Sequence, residues 1–148
     1  MAGISCEMVS SLDQFIDALR IRVAVFIQEQ GFSPGWEPDE VDKTARHYIA
    51  TSEAATVATA RVCCDESAGC KIERMAVLRP YRGMQIGTCL TRFVIADIQK
   101  GEPGRIWLNS QCHATSFYER CGFRVASDVH YPCGVRVPHV TMEYAGKS

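Results

Sequence analysis

The chain has 148 residues, of which 47% are hydrophobic and 22% are charged, and its formal net charge is −1. This composition excludes a disordered chain, a collagen-like repeat and a coiled coil. Because the net charge is close to zero and no apolar run approaches the roughly 18 residues of a membrane span, we expect neither a nucleic-acid nor a membrane partner.

The length predicts a single domain over residues 1–148. The N-terminus lacks the basic segment and apolar stretch of a secretory signal, so we expect a cytoplasmic location.

The first third of the chain predicts a strand, a helix and an irregular loop. Residues 2–8 alternate with a period of two, which indicates a strand. Ser10 or Ser11 then caps a helix that Gly31 ends. Its apolar residues recur at helical spacing: Leu12, Phe15, Ile16, Leu19, Val23 and Phe26. Residues 32–46 are polar and contain three Gly or Pro residues, which favours a loop or an irregular short helix.

The middle of the chain predicts three strands followed by a helix. The strands cover residues 47–53, 56–64 and 71–78. A glycine-containing loop occupies residues 79–87, and Gly101 ends the helix that follows. One face of this helix is apolar and carries Ile86, Leu90, Phe93, Val94 and Ile98.

The last third predicts a strand over residues 105–111, a short helix over 114–120, and strands near 123–130 and 139–144. Strands and helices therefore mix without strict alternation. We expect an α/β fold with a mixed, mostly antiparallel sheet flanked by helices.

Eight cysteines are spread over the chain, and no two have a C-x-x-C spacing. The pattern predicts neither a zinc ribbon nor a thioredoxin motif, and we expect no bound metal. We interpret the cysteines as reduced, mostly buried thiols. They are Cys6, Cys63, Cys64, Cys70, Cys89, Cys112, Cys121 and Cys133.

The segment from Lys71 to Gly87 is the most informative part of the sequence. It reads as a strand, a loop with Arg79 and Arg82, and the beginning of an amphipathic helix. Backbone N–H groups at a helix N-terminus and nearby arginines favour an anion, such as the phosphate of a phosphorylated ligand. The same residues also fit an ordinary strand-to-helix turn with solvated arginines. The segment matches neither a P-loop nor a Rossmann turn.

A second segment, residues 111–123, decides between these interpretations. With it, the chain resembles the GNAT superfamily of acyl-CoA-dependent N-acyltransferases. The family signature Arg/Gln-x-x-Gly-x-Gly/Ala is matched over residues 82–87, and Asn-x-x-Ala-x-x-Phe-Tyr followed by Gly-Phe is matched over 111–123. Two residues depart from the pattern. Gln85 replaces the usual middle glycine, and Gln111 replaces the commoner asparagine.

Further matches resemble the small ElaA-like branch of the GNAT family. They lie over residues 22–31, 37–47, 72–74, 109–111 and 138–142. The resemblance implies the GNAT fold and acetyl-CoA as the acyl donor. It does not specify the acceptor amine.

The resemblance also implies a set of acetyl-CoA-binding residues. The backbone of Met75, Ala76 and Val77 would pair with the pantetheine amides like an added strand. Gln111 would contact the pantetheine end, and Phe117 would line the slot. The pyrophosphate would lie against the N–H groups of Arg82, Gly83, Met84, Gln85, Ile86, Gly87 and Thr88.

For the chemistry, Tyr118 is the predicted general acid that protonates the leaving thiolate, and the Val77 N–H would stabilise the oxyanion. Strand alternation places Glu73 on the same face as Met75 and Val77, so Glu73 is a candidate general base. An ion pair of Glu73 with an arginine is the structural alternative. His47 and His113 are weaker candidates.

Acidic residues cluster around the first helix and the following loop, where GNAT acceptors usually enter. If they are buried together, they would favour a cationic amine; on the surface, they form only a solvated acidic loop. Trp36 would then provide an apolar or cation–π wall. The predicted acceptor-binding residues are Glu29, Trp36, Glu37, Asp39, Asp42 and His47.

We therefore expect an N-acetyltransferase that transfers the acetyl group of acetyl-CoA to a primary amine of a small molecule or a protein lysine, by direct attack in a ternary complex. The alternatives are a glucosamine-6-phosphate N-acetyltransferase and a non-catalytic acyl-CoA sensor. The last two strands could form a homodimer contact, as they do in many GNAT proteins.

Overall fold

The computed structural model describes residues 3–132 and 135–146, which form a seven-stranded sheet with helices packed on it. The strand order is β1-β2-β3-β4-β5-β7-β6, and β4 with β5 is the parallel pair among antiparallel neighbours. The predicted mixed, mostly antiparallel α/β sheet is confirmed. The strands are β1 (Ile4–Met8), β2 (Arg46–Ser52), β3 (Ala55–Asp65), β4 (Gly69–Val77), β5 (Ile106–Gln111), β6 (Phe123–Val125) and β7 (His139–Tyr144).

Three α-helices pack on this sheet: α1 (Leu12–Arg22), α2 (Ile86–Gln99) and α3 (Thr115–Arg120). The Ser11 side chain caps α1 by accepting a hydrogen bond from the Gln14 N–H at 3.2 Å. Short 3₁₀ turns lie at Pro34–Trp36, Glu40–Lys43, Arg79–Tyr81 and Cys112–Ala114.

The predicted first helix continues past Arg22 as a π-helix over Val23–Glu29. Gly31 then ends the segment with a φ of 79°, which is favourable for glycine at a helix C-terminus. The wider π-helical turn carries residues 29 and 30 to the edge of the sheet where β4 and β5 end. None of the helices in the described ranges is long and apolar enough to cross a membrane.

The two faces of the sheet are covered differently. Helices α2 and α3 cover one face and enclose the main core, which includes Leu90, Leu108 and Met142. Helix α1 lies over β2, β3 and β4 on the opposite face, where Ile21 and Phe26 pack with Ala76 of β4.

A bulge interrupts β4 just before its end. Two residues of β4, Arg74 and Met75, lie opposite the single residue Ala60 of β3. The φ of Arg74 is 54°, in the left-handed region that favours glycine. Beyond such a bulge, the alternation of side chains between the two faces is displaced by one residue.

The prediction that Glu73, Met75 and Val77 share a face is wrong, because the bulge separates Glu73 from the other two. Glu73 pairs with Arg61 on the face that α1 covers. Met75 and Val77 instead pack against the main core beside α2.

The predicted strand over residues 123–130 is also shorter than expected. Pairing with β7 ends near Ala126, because the Ser127 hydroxyl replaces a backbone acceptor and receives the Thr141 N–H at 2.8 Å. Pairing resumes only as an isolated bridge between His130 and His139.

The prediction that the cysteines are reduced thiols is wrong for one pair. Cys64 and Cys70 are directly opposite each other in β3 and β4 and form a disulfide bond. Five others are free thiols in the described ranges, and Cys121 is the buried one among them. Cys133 lies outside the described residues.

Candidate active site

A cleft opens in the sheet where β4 and β5 separate. The two strands pair only over Cys70–Ile72 and Ile106–Leu108. The bulge at Arg74 follows directly and turns the end of β4 away from β5. The result is a V-shaped gap between the end of β4 and the end of β5.

Backbone polar groups of β4 line one side of this cleft. The Leu78 N–H donates to the Val57 carbonyl on the β3 side. Since neighbouring residues in a strand direct their backbone groups to opposite edges, the Val77 N–H and C=O point toward the cleft. The Val77 carbonyl there accepts a hydrogen bond from Arg82 Nε at 2.9 Å. This edge can accept an added strand of peptide-like amides.

The loop before α2 adds unpaired N–H groups beside the cleft. Gln85 is the N-cap residue of α2 and makes no side-chain capping bond. The N–H groups of the first helical residues, Ile86, Gly87 and Thr88, therefore lack partners within the helix. With the helix dipole behind them, these groups form an anion-binding site.

Two glycines, Gly83 in this loop and Gly87 in the first turn of α2, have distinct structural reasons. Gly83 has a φ of 78°, which allows the turn before the helix. A Cβ at Gly87 would lie 3.2 Å from the Phe117 ring and 3.4 Å from Val77 Cγ2, so glycine allows α2 to pack closely on both. Gln85 adopts a φ of 67°, the conformation in which the family pattern places glycine.

The opposite side of the cleft is formed by Gln111 at the end of β5. Its Nε2 donates to Gln30 Oε1 at 3.1 Å, which connects β5 to the residue after the π-helix. Its Oε1 accepts from His113 Nε2 at 2.6 Å. Gln30 thus lies at the mouth of the cleft, beside the end of β5.

Glu29 binds both arginines of the loop. Arg82 donates two hydrogen bonds to its carboxylate at 2.6 and 2.8 Å, and Arg79 donates a third at 3.3 Å. These bonds, led by those from Arg82, hold the pKa of Glu29 below its usual range. Beside this cluster lies a cavity of about 490 Å³, lined by Ala24, Val25, Gln28, Glu29, Leu78, Arg79 and Pro80.

Tyr118 lies on α3 next to the cleft. Its ring packs at right angles against Phe117 and Phe123, with centroid separations of 4.9 and 5.9 Å. Within the described residues its hydroxyl makes no hydrogen bond. A tyrosine phenol is protonated at neutral pH, and burial raises the pKa of Tyr118 further.

Glu73 is held in place by the chain itself. Its carboxylate accepts from Arg61 at 2.8 Å and from the Cys63 thiol at 3.2 Å. Burial acts to raise the pKa of Glu73, but the hydrogen bond and charge of Arg61, together with Lys71 and the Cys63 thiol, outweigh it and the net shift is downward. A carboxylate bound in this way is a weak proton acceptor.

The acidic loop folds inward onto arginines from other elements. Three arginines and four carboxylates form a connected set, which we call the ionic network: Arg22, Arg61, Arg74, Glu37, Asp39, Asp42 and Glu73. Arg22 is 1% exposed and Arg61 is 2% exposed. The interpretation of a solvated acidic loop is wrong for Glu37 and Asp42, whose side chains are buried and bound by Arg22.

The remaining predicted acceptor residues also bind groups of the chain. The Arg74 guanidinium lies 3.6 Å from the Trp36 ring centre, so the cation on this aromatic ring is the protein's own. His47 Nε2 lies 3.0 Å from the Asp42 carbonyl and donates to it. His113, the other weaker candidate, binds Gln111.

The alternative of an ion pair between Glu73 and an arginine is confirmed, with Arg61 as the partner. Sequence reasoning did not identify the arginine partners of the acidic loop or one histidine. Arg22 and Arg61 lie 20 and 19 residues from Asp42, which they both bind, so no local spacing reveals the contacts. His139 lies opposite Gln111 in the β5–β7 pair. Its signal in the sequence was its place in the segment 138–142, which resembles the ElaA-like branch. No group of three or more His, Cys, Asp or Glu side chains suited to a metal ion occurs in the described part of the chain.

Comparisons with known proteins agree with this geometry. The family model for the GNAT acetyltransferase domain matches residues 20–145. The chain belongs to the GNAT acetyltransferase family. A Bacillus subtilis protein named as an acetyltransferase is 31% identical to this chain over 142 residues. The match covers 94% of this chain and 95% of that protein.

Solved structures of GNAT proteins share the fold. Escherichia coli ElaA has a TM-score of 0.82 and 27% identity, and the match covers 95% of this chain and 98% of that one. A Bacillus anthracis protein described as a streptothricin acetyltransferase, in complex with acetyl coenzyme A, has a TM-score of 0.60 and 18% identity over 70% of this chain and 63% of its own. The resemblance to the GNAT family is confirmed, and the protein is an acyltransferase.

Proposed function

We propose that this GNAT protein transfers the acetyl group of acetyl-CoA to a primary amine, carried by a small molecule or a protein lysine, by direct attack in a ternary complex. The observation that carries the proposal is the opening between β4 and β5, which meets the uncapped N-terminus of α2. The proposal treats residues 1–148 as one acetyltransferase domain. The structural neighbour from Bacillus anthracis, which holds acetyl coenzyme A, supports the choice of donor.

The donor would lie along the cleft. The backbone edge at Met75, Ala76 and Val77 offers amide partners for the pantetheine arm, and Gln111 and Phe117 line its end. The N–H groups from Gly83 to Thr88 would face the pyrophosphate. The Arg82 N–H, which was also expected there, donates to the Arg79 carbonyl at 3.2 Å. The Arg82 side chain crosses the same edge at Val77, so we expect it to move when the donor binds.

Catalysis needs a stabilised oxyanion and a proton for the leaving thiolate. The Val77 N–H points into the cleft and can donate to the oxygen of the tetrahedral intermediate. Tyr118 holds its proton at neutral pH and can give it to the coenzyme A thiolate as the carbon–sulfur bond breaks.

The first experiment is a thiol-release assay with acetyl-CoA against a panel of amines. The panel contains arylalkylamines, polyamines, amino sugars with and without a phosphate, aminoglycosides and lysine peptides. We expect coenzyme A release with at least one class. Acetyl-CoA binding in calorimetry without release for any amine would favour an acyl-CoA sensor instead, and preferential release with amino-sugar phosphates would favour glucosamine-6-phosphate as the acceptor.

The variant Tyr118→Phe tests the general acid. We expect kcat to fall by roughly 10²–10⁴-fold while the Kd for acetyl-CoA is unchanged, because only the proton donor is removed. Tyr131→Phe is the matched control, since the Tyr131 side chain is 59% exposed and lies outside the cleft. Equal kcat values for the two variants would contradict the assignment of Tyr118.

A further inference from the structure

One half of the sheet presents an open polar surface. On β5 and β7 the side chains of Leu108, Val140 and Met142 are buried in the main core. The alternate residues face the other side, where α1 extends only over β2, β3 and β4. Four of these residues, which we call the polar face, are Asn109, Gln111, His139 and Thr141.

The polar face lies at the edge of the cleft. Asn109 is opposite Thr141, and Gln111 is opposite His139. Directly opposed residues in an antiparallel pair have Cβ atoms about 4.5–5.5 Å apart. The His139 imidazole therefore lies beside Gln111, at the end of β5 where the thioester of the donor would be held.

His139 differs from its neighbours in being enclosed and held in one orientation. It is 9% exposed, whereas Asn109, Gln111 and Thr141 are half-buried. Its Nδ1 lies 2.7 Å from the Val137 carbonyl. A carbonyl only accepts, so Nδ1 carries the proton, and in the neutral ring the lone pair is on Nε2.

The Nε2 atom of His139 is available to a ligand. Within the described residues it has no hydrogen-bond partner. It is also absent from the fully buried polar atoms that lack a partner, so it keeps some accessible surface. The histidines nearby use the same atom as a donor. His113 Nε2 donates to Gln111, and His130 Nε2 donates to the Thr141 hydroxyl, which itself donates to Asn109 at 2.7 Å.

The surroundings of His139 favour the neutral form of its ring. Burial has the largest effect and lowers the pKa of His139, and the neighbouring His130, His113 and Lys71 act in the same direction. The hydrogen bond to Val137 acts in the opposite direction but does not reverse the shift. Glu73 lies on the same side of the sheet, yet Arg61 already binds its carboxylate.

We propose that His139 is the general base of the transfer reaction and that its Nε2 accepts a proton from the ammonium group of the acceptor, directly or through one water. The polar face would then hold the acceptor with uncharged amide, hydroxyl and imidazole groups. This inference rests on the proposed N-acetyltransferase function.

The proton balance of the reaction is complete with the residues named. His139 Nε2 takes one proton from the ammonium, and the neutral amine nitrogen then forms a bond to the thioester carbon. The carbon–sulfur bond breaks, and the thiolate receives the Tyr118 proton. The nitrogen of the new amide then gives up its excess proton, which passes through water to the Tyr118 phenolate. His139 releases its proton to solvent.

The variant His139→Asn tests this role. The asparagine amide can still donate to the Val137 carbonyl in place of Nδ1, whereas nothing replaces Nε2. We expect kcat/KM at pH 7 to fall by roughly 10²–10⁴-fold with an unchanged Kd for acetyl-CoA. The variant also depends on amine that is already deprotonated, so its kcat/KM should keep rising about tenfold per pH unit from 7 to 9. In the unmodified protein, kcat/KM should instead rise with pH to a plateau. The midpoint of that rise should lie below the usual histidine pKa of about 6.5.

The control variant is His130→Asn, which alters a neighbouring histidine of the same bridge. We expect less than a fivefold change in kcat/KM and the same plateau as the unmodified protein. A His139→Asn protein with kcat/KM within threefold of the unmodified value and an unchanged pH profile would overturn the role of His139 alone. If the unmodified protein releases no coenzyme A with any amine, the proposed function fails and this inference fails with it.

A measurement without an acceptor provides a second check. Nitrogen-15 chemical shifts of the histidine rings at pH 7.5 should show that His139 is neutral with its proton on Nδ1. A proton on Nε2 would overturn the proposal even if the variant were inactive.

Discussion

On the α1 side of the sheet, the two halves differ in their polar side chains: one half carries paired charges and the other carries uncharged groups. Over β3 and β4, the ionic network places charged groups in the interior and binds each carboxylate to an arginine. Over β5 and β7, the polar face carries uncharged side chains, of which Asn109, Gln111 and Thr141 are half-buried and His139 is enclosed. The bulge at Arg74 and the cleft lie between them.

The difference separates structural polar groups from groups available for chemistry. A buried charge whose partners are all within the chain holds elements together, because removing one partner leaves the others uncompensated. The network binds the loop after the π-helix to β3 and β4. On the polar face, Nε2 of His139 remains available for a ligand.

The largest expected effect comes from removing an arginine of the network. Arg22→Ala leaves Glu37 and Asp42 buried without their main partner, so we expect a loss of about 3–5 kcal/mol in the free energy of unfolding, measured by urea denaturation. Arg22→Lys keeps a charge and should lose less. The matched control is Arg20→Ala, since the Arg20 side chain is 77% exposed and should change stability by less than about 0.5 kcal/mol.

The same experiment on the polar face should give a much smaller effect. Thr141→Val breaks the hydrogen bonds with Asn109 and His130, but water can reach these half-buried groups, so we expect a loss of about 1 kcal/mol. Equal losses for Thr141→Val and Arg22→Ala would contradict the difference between the two halves.

The pH dependence of stability sharpens the comparison. Burial acts to raise the pKa of Asp42, but hydrogen bonds from Arg22, the Asp39 backbone and Arg61 outweigh it and lower the pKa well below its usual range. The folded state therefore binds this proton less readily than the unfolded chain. The stabilisation is present above about pH 4 and is lost as the pH falls toward the folded-state pKa. Asp42→Asn should show a shallower loss of unfolding free energy between pH 4 and pH 2 in denaturation at fixed salt.

The smallest expected effect concerns Gln85, beside the cleft. Its φ of 67° is strained for a residue with a Cβ, so Gln85→Gly should stabilise the protein by up to about 1 kcal/mol. Gln85→Ala keeps the strain and should change stability by less than about 0.5 kcal/mol. We expect the Kd for acetyl-CoA to change by less than about threefold in both variants, because the Gln85 side chain makes no capping bond. A large loss of binding in Gln85→Ala alone would show that the side chain contacts the donor.

Much of the fold follows from local patterns in the sequence. The period of two over residues 2–8, the apolar face of α2 and the glycines that end the helices each depend on residues a few positions apart. The segments at 82–88 and 111–118 are equally local, which is why the family could be identified from them. The end of the strand predicted near 123–130 was less predictable, because one hydroxyl, that of Ser127, ends the pairing with β7.

The sequence alone determined the family, the order of the elements and the segments that form the cleft, because these depend on short-range spacing. Only the tertiary structure decided which charges are paired and which face each side chain occupies. Arg22 and Arg61 meet Asp42 from different elements, and a single extra residue in β4 moves Val77 to the face opposite Glu73. Such contacts arise from packing between distant segments, and the spacing within any one segment does not contain them.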